Sequence, residues 1–138
     1  MRTVKELAAV AVDCGLQLHR ELGPGLLESV YEAVLARALA DEGVAVVRQQ
    51  PVPITFRGHT FVDAFRADLV LDGMLVIEVK SVERLVPVHA KQLLTYLRLM
   101  QQPLGLLMNF GCETFREGLK RVVNGHSDFA SSRLRVKQ

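Results

Sequence analysis

Two apolar runs, RADLVL (Arg66 to Leu71) and MLVIEVK (Met74 to Lys80), are separated by nothing but Asp72-Gly73. No other feature restricts the fold as much. Asp-Gly accepts the positive φ angles that a two-residue hairpin turn demands, so the two runs are predicted to be neighbouring antiparallel strands. With Asp72 and Gly73 as the whole turn, Leu71 faces Met74 and Asp68 faces Ile77, one position short of Glu78. A bulge or a twist would bring the two carboxylates together. Side chains alternate along a strand, so Glu78 and Lys80 share one face and Ile77 and Val79 the other.

The segments around this hairpin change texture once in each direction. From Thr3 to Leu22 the positions Val4, Leu7, Ala8, Ala11 and Val12 follow helical spacing, and Gly23-Pro24-Gly25 stops the helix. A second helix is predicted from Leu27 to Asp41, with Leu27, Val30, Tyr31, Val34, Leu35, Ala38 and Leu39 as its apolar stripe. VAVVRQQ, VPITFRG and HTFVDAF then read as short strands broken at Pro51, Pro53 and Gly58. After the hairpin come a helix from Val88 to Met100, the continuously apolar strand Leu104 to Phe110, and a last strand from Leu119 to Asn124. The predicted order is ααβββββαββ, a mixed α/β class with one sheet flanked by helices.

At 138 residues, with 49% hydrophobic and 23% charged positions, the chain has the composition of one globular domain. We assign it residues 1–124, with a polar, flexible tail at 125–138. Aromatics make up 6% and Trp is absent, so aliphatic side chains must fill the core. No run reaches the roughly 18 apolar residues of a membrane helix, so no membrane partner is expected. Cys14 and Cys112 match no metal-ligand spacing and read as free thiols in a reducing cytoplasm. A net charge of +2 permits nucleic-acid binding without arguing for it.

Asp68, Glu78 and Lys80 form the constellation that can carry chemistry. An E-x-K pair on a strand is by itself an ordinary surface ion pair. Here the carboxylates close off strands that read as buried, where a charge is unfavourable unless paired or used. Two neighbouring carboxylates repel unless a proton or a cation lies between them, and a hard divalent cation takes such oxygens together with water and phosphate. Two carboxylates, a cation and a lysine are the parts that metal-assisted phosphodiester hydrolysis needs.

Asp68 followed by Glu78-Val79-Lys80 resembles the D…E-x-K core of the PD-(D/E)XK nuclease superfamily. Gly25-Leu-Leu-Glu28-Ser-Val-Tyr31 is similar to the signature of its GxxExxY family, and FRADLVL, IEVKSVERLVPVH, QLLTYLRL and LGLLMNFG resemble that family's blocks in order, over Leu18 to Asn124. Ala67 stands where the superfamily's name has proline. The resemblance implies a restriction-endonuclease-like core, a central mixed β-sheet flanked by helices. It implies Mg²⁺, with Mn²⁺ as a substitute, on Asp68, Glu78 and the main-chain carbonyl of Val79. Lys80 would orient or activate the attacking water, Glu28 would be the upstream acid, and Gln92 and Tyr96, four apart on one helix, would position water or a DNA end. His89, three before Gln92, reads as a structural helix-terminal histidine. The partner would be nucleic acid, DNA ahead of RNA, with sequence specificity either low or supplied by a homodimer or a further protein. The alternative is a non-catalytic nucleic-acid-binding or protein-interaction module that keeps the fold.

Overall fold

The computed structural model describes residues 1–125; the polar tail expected at 125–138 lies, from residue 126 onward, outside the described residues. Its elements are α1 (Val4–Leu22), α2 (Glu28–Asp41), β1 (Val46–Phe56), β2 (His59–Leu71), β3 (Leu75–Lys80), α3 (Pro87–Met100), β4 (Leu104–Asn109), α4 (Phe115–Gly118) and β5 (Leu119–Val123). The strands form one sheet in the order β1-β2-β3-β4-β5. Neighbours are antiparallel except β3 and β4, which run parallel and are joined through α3. The sheet is therefore mixed, as expected.

Helix starts follow their local chemistry. The Thr3 side chain accepts the Glu6 amide at 3.1 Å and the Glu6 carboxylate accepts the Thr3 amide at 2.8 Å, a reciprocal cap that opens α1. Pro87 occupies the first turn of α3, where its missing N–H costs nothing. The His89 ring accepts the Val86 amide at 3.1 Å, which gives that histidine the structural role expected of it.

The faces of the sheet are set by strand alternation. Leu75, Ile77 and Val79 enter the larger core beneath α1 and α2, with Leu7, Leu18, Tyr31, Leu35 and Phe110. Val76 enters a smaller core under α3, with Val52, Val70, Leu93, Leu97 and Leu107. Every residue of β4 is buried, because helices cover both of its faces. Each fully buried aliphatic side chain contributes about 1.5–3 kcal/mol.

The prediction of seven strands was wrong: among the described residues there are five, because two breaks do not occur. Pro51 and Pro53 lie inside β1, which tolerates them because it is the sheet's edge strand and has a free side where no donor is needed. HTFVDAF and RADLVL likewise form one strand, β2, and the irregularity appears instead as a register shift opposite Val52 and Ile54. Gly58 does mark a turn, with positive φ at both Arg57 and Gly58. The single turn of α4 was not anticipated; Thr114 caps it by accepting the Glu117 amide.

Candidate active site

The hairpin between β2 and β3 differs from expectation by one residue, and that residue builds the site. Asp72 and Gly73 do take positive φ, and the Met74 amide bonds back to the Leu71 carbonyl at 2.9 Å. Pairing then resumes with Leu71 opposite Leu75, not Met74, and continues as Val70 with Val76 and Leu69 with Ile77. Met74 is an extra residue. The next positions out are Asp68 and Glu78, which stand opposite each other instead of one step apart.

Ladder pairing of β2 with β3 stops at Leu69 and Ile77, and the two carboxylates span the gap beyond. Glu78 Oε2 accepts the Asp68 amide at 2.9 Å, and Asp68 Oδ2 accepts the Val79 amide at 2.8 Å. Each acid thus replaces a carbonyl of the missing ladder. Glu78 is only 5% exposed, and burial, then the Asp68 charge, push its carboxyl up to about 8. Burial also raises Asp68, aided by Glu32 and opposed by its bond from Val79. A pair of carboxyls so raised binds a proton or a cation readily.

Asp68 has a second support that the sequence reading missed. Gln49 Nε2 donates to Asp68 Oδ1 at 3.1 Å and to Glu32 Oε1 at 2.7 Å, while Arg48 Nε pairs with Glu32 Oε2 at 3.1 Å. Gln49 makes this bridge from a left-handed backbone, φ 53°. Glu32 is buried on α2. Its signal in the sequence was an acid within the stripe formed by Leu35 and Leu39, at helical spacing from both.

Glu28 lies one turn before Glu32, exposed, and accepts the Ser81 amide at 3.3 Å. It therefore touches the residue after Lys80, not the carboxylate pair. The rest of its motif fastens the same place. The Ser81 hydroxyl donates to the Leu26 carbonyl at 2.6 Å. The Tyr31 hydroxyl donates to the Gly23 carbonyl at 2.5 Å and accepts the Leu26 amide at 3.1 Å, while its ring stacks on Phe110 at 4.8 Å.

Lys80 ends β3 half-buried, and the Lys80 carbonyl accepts the Phe110 amide at 2.9 Å. Its charge favours the ionised form of both Asp68 and Glu78, yet no ion pair among the described residues includes it. Tyr96, on α3, is buried and stacks on Phe65 at 4.3 Å; burial, then the charges of Glu78 and Asp68, raise its hydroxyl. Gln92 is exposed one turn earlier on α3 and makes no hydrogen bond to the carboxylates. The predicted residues thus divide: Asp68, Glu78 and Val79 are joined by hydrogen bonds, Lys80 and Tyr96 are linked to the two carboxyls through charge, Glu28 bonds to Ser81, and Gln92 bonds to neither carboxyl. Cys14 and Cys112 are buried free thiols.

Among the described residues, no three His, Cys, Asp or Glu side chains gather closely enough to hold a metal unaided. The donor set is two carboxylates whose remaining partners would be water and substrate oxygen. That set fits a hard divalent ion better than a softer one that seeks nitrogen or sulfur. No helix of the described residues is long and apolar enough to cross a membrane.

Neither the curated proteins nor the solved structures include a match to this sequence. A family model does match, that of the PD-(D/E)XK nuclease superfamily, over residues 5–122, a span that runs from the first turn of α1 into β5 and includes both carboxylates and the lysine. Together with the mixed sheet and its flanking helices, which are restriction-endonuclease-like, this match means that the chain belongs to the PD-(D/E)XK nuclease superfamily.

Proposed function

We propose that the protein is a divalent-metal-dependent nuclease that hydrolyses phosphodiester bonds of nucleic acid, DNA ahead of RNA. The observation that carries this reading is the reciprocal pairing of Asp68 and Glu78 across the end of the β2–β3 ladder, with Lys80 next on the same strand. A pairing between strands is the ordinary use of main-chain amides. Here carboxyl groups take that place, in a setting that disfavours their charge, which a purely structural role does not require.

Asp68 and Glu78 would hold the metal, with the main-chain carbonyl of Val79 as a third oxygen, and Mg²⁺ or Mn²⁺ suits them. When bound, such an ion polarises a phosphoryl oxygen and acidifies water. Lys80 orients the attacking water and stabilises the negative charge that develops on the phosphoryl group. Tyr96 closes the side of the site toward α3, and Gln92 is near enough along that helix to meet bound substrate. Gln49 and Glu32 keep Asp68 turned toward Glu78. Glu28 acts through Ser81, fixing the strand end from which Lys80 projects. This tie between the α1–α2 turn and Lys80 gives the Gly25, Glu28 and Tyr31 spacing a physical purpose and supports placing the chain in the GxxExxY branch.

The test is cleavage of linear, nicked, branched and single-stranded DNA, and of RNA, by purified protein with Mg²⁺ or Mn²⁺. We expect at least one substrate to be cut and Lys80→Ala to reduce cutting at least about a hundredfold. Metal binding with no cleavage across that panel would leave only a non-catalytic binding module.

A further inference from the structure

The outer half of the β1–β2 hairpin projects beyond the sheet. β2 pairs with β3 only through Leu69, Val70 and Leu71, so among the described residues His59 to Phe65 have β1 as their sole strand partner. A two-stranded ribbon has no core of its own. This one nevertheless exposes large apolar side chains: Phe56 is 61% and Phe61 55% exposed. The chain has only six phenylalanines, and three of them, Phe56, Phe61 and Phe65, lie on this ribbon.

Their placement is ordered. Phe65 pairs with Val52, Phe61 with Ile54 and His59 with Phe56. Val52, Ile54 and Phe56 alternate along β1, so all six residues share one face. At its inner end that face is the core under α3: Val52 is buried there, and Phe65 stacks on Tyr96, whose hydroxyl is raised in part by the charges of Glu78 and Asp68. At its outer end it is open, with the Arg57 guanidinium 5.1 Å from the centre of the Phe56 ring. An aromatic track thus leads from the ribbon tip to the active site.

The spacing selects a ligand. Phe56 and Phe61 are diagonal neighbours, about 7–8 Å apart, and Phe61 and Phe65 stand opposite Ile54 and Val52, two residues and so roughly 7 Å apart along β1, the register shift taking up the extra residues of β2. Bases in a duplex stack every 3.4 Å and hide their faces from side chains. Rings set this far apart can stack only on bases that are separated from one another. Such stacking on aromatic rings, with cations alongside, is how single strands are held without regard to sequence. Arg57 and His59 lie at the tip to meet phosphates. A protein strand added at the ribbon's free edge is disfavoured, because Pro51 and Pro53 remove donors from β1.

We propose that the Phe56–Phe61–Phe65 face of the ribbon is a stacking platform for single-stranded nucleic acid, which guides an unpaired segment toward Asp68 and Glu78. The inference rests on the nuclease reading only for the direction of that path; binding itself can be measured without cleavage.

The experiment measures fluorescence anisotropy in a chelator at fixed salt, with a labelled oligodeoxythymidylate, a labelled oligouridylate and a blunt duplex as separate probes. The wild-type protein should bind at least one single strand more tightly than the duplex. The double variant Phe56→Ala/Phe61→Ala should lose about tenfold or more of that affinity, while Phe56→Trp/Phe61→Trp keeps it. Both positions are exposed, and unchanged thermal unfolding of the variants confirms that the fold is intact. Equal single-strand affinity in the alanine variant overturns the proposal. So does a preference for duplex, an absence of binding, or a wild-type dimer in sedimentation that the alanine variant dissociates, since that face would then join two copies. Stacking-dependent binding without any metal-dependent cleavage would keep this platform and remove the nuclease reading. Cleavage indifferent to both phenylalanines would do the reverse.

Discussion

The two ends of β2 are one strand with two fates. At the inner end, Ala67, Leu69, Val70 and Leu71 are all buried; at the outer end, His59 to Ala64 are all exposed. Composition does not separate them, since FVDAF is as apolar as ADLVL. What separates them is the number of neighbours. The inner end has β1 on one side, β3 on the other and helices on both faces, whereas the outer end, among the described residues, has β1 alone. Asp68 sits at the transition, where the third strand departs and its ladder positions fall vacant for side chains. Burial strong enough to shift a carboxyl and the loss of a flanking strand meet at that one point.

Four measurements test this contrast. The largest effect is expected at the fully covered end: Ile77→Ala, opposite Leu69, should destabilise by about 2–5 kcal/mol in denaturant unfolding. A cost below 1 kcal/mol would mean that this end is not tightly packed. The next concerns pH. Because the folded protein holds a proton on Glu78 up to about pH 8, and the unfolded chain releases it near its ordinary value of 4.5, metal-free stability should fall as pH rises between those limits and level off above them. Asp68, also raised, acts in the same direction. Glu78→Gln should flatten the fall, as followed by melting temperature at pH 5.5 and 8.5. Removing the Asp68 support comes third: Gln49→Ala should slow cleavage about 10- to 100-fold with little change in substrate affinity. A pure affinity loss would assign Gln49 to binding instead. Smallest is Val62→Thr at the uncovered end, 70% exposed, which should change stability by less than about 0.5 kcal/mol.

The sequence carried the helices and the inner strands legibly, because apolar spacing is set by burial and burial is simple there. It misled at Pro51 and Pro53, since a proline ends a central strand but not an edge strand, and only the tertiary arrangement decides which strand is the edge. Within the site, Asp68, Glu78 and Lys80 could be read from their apolar setting. Glu32 and Gln49 could not, because their role depends on a contact between α2 and β1, about 17 residues apart along the chain. Glu28 was legible as a motif residue, but its target, Ser81, is 53 residues away.

Met74 gives the hairpin one residue more than its turn requires. In a strand, an odd shift exchanges the two faces for every residue beyond it. Chain length at this surface turn therefore decides, as much as any acidic side chain, whether the two carboxyls meet. Deleting a residue there, far from any substrate, would offer Asp68 the side of Ile77 and leave Glu78 without its partner. Homologous chains that preserve the acids but differ by one residue in this turn would retain the composition of the site and lose its coincidence.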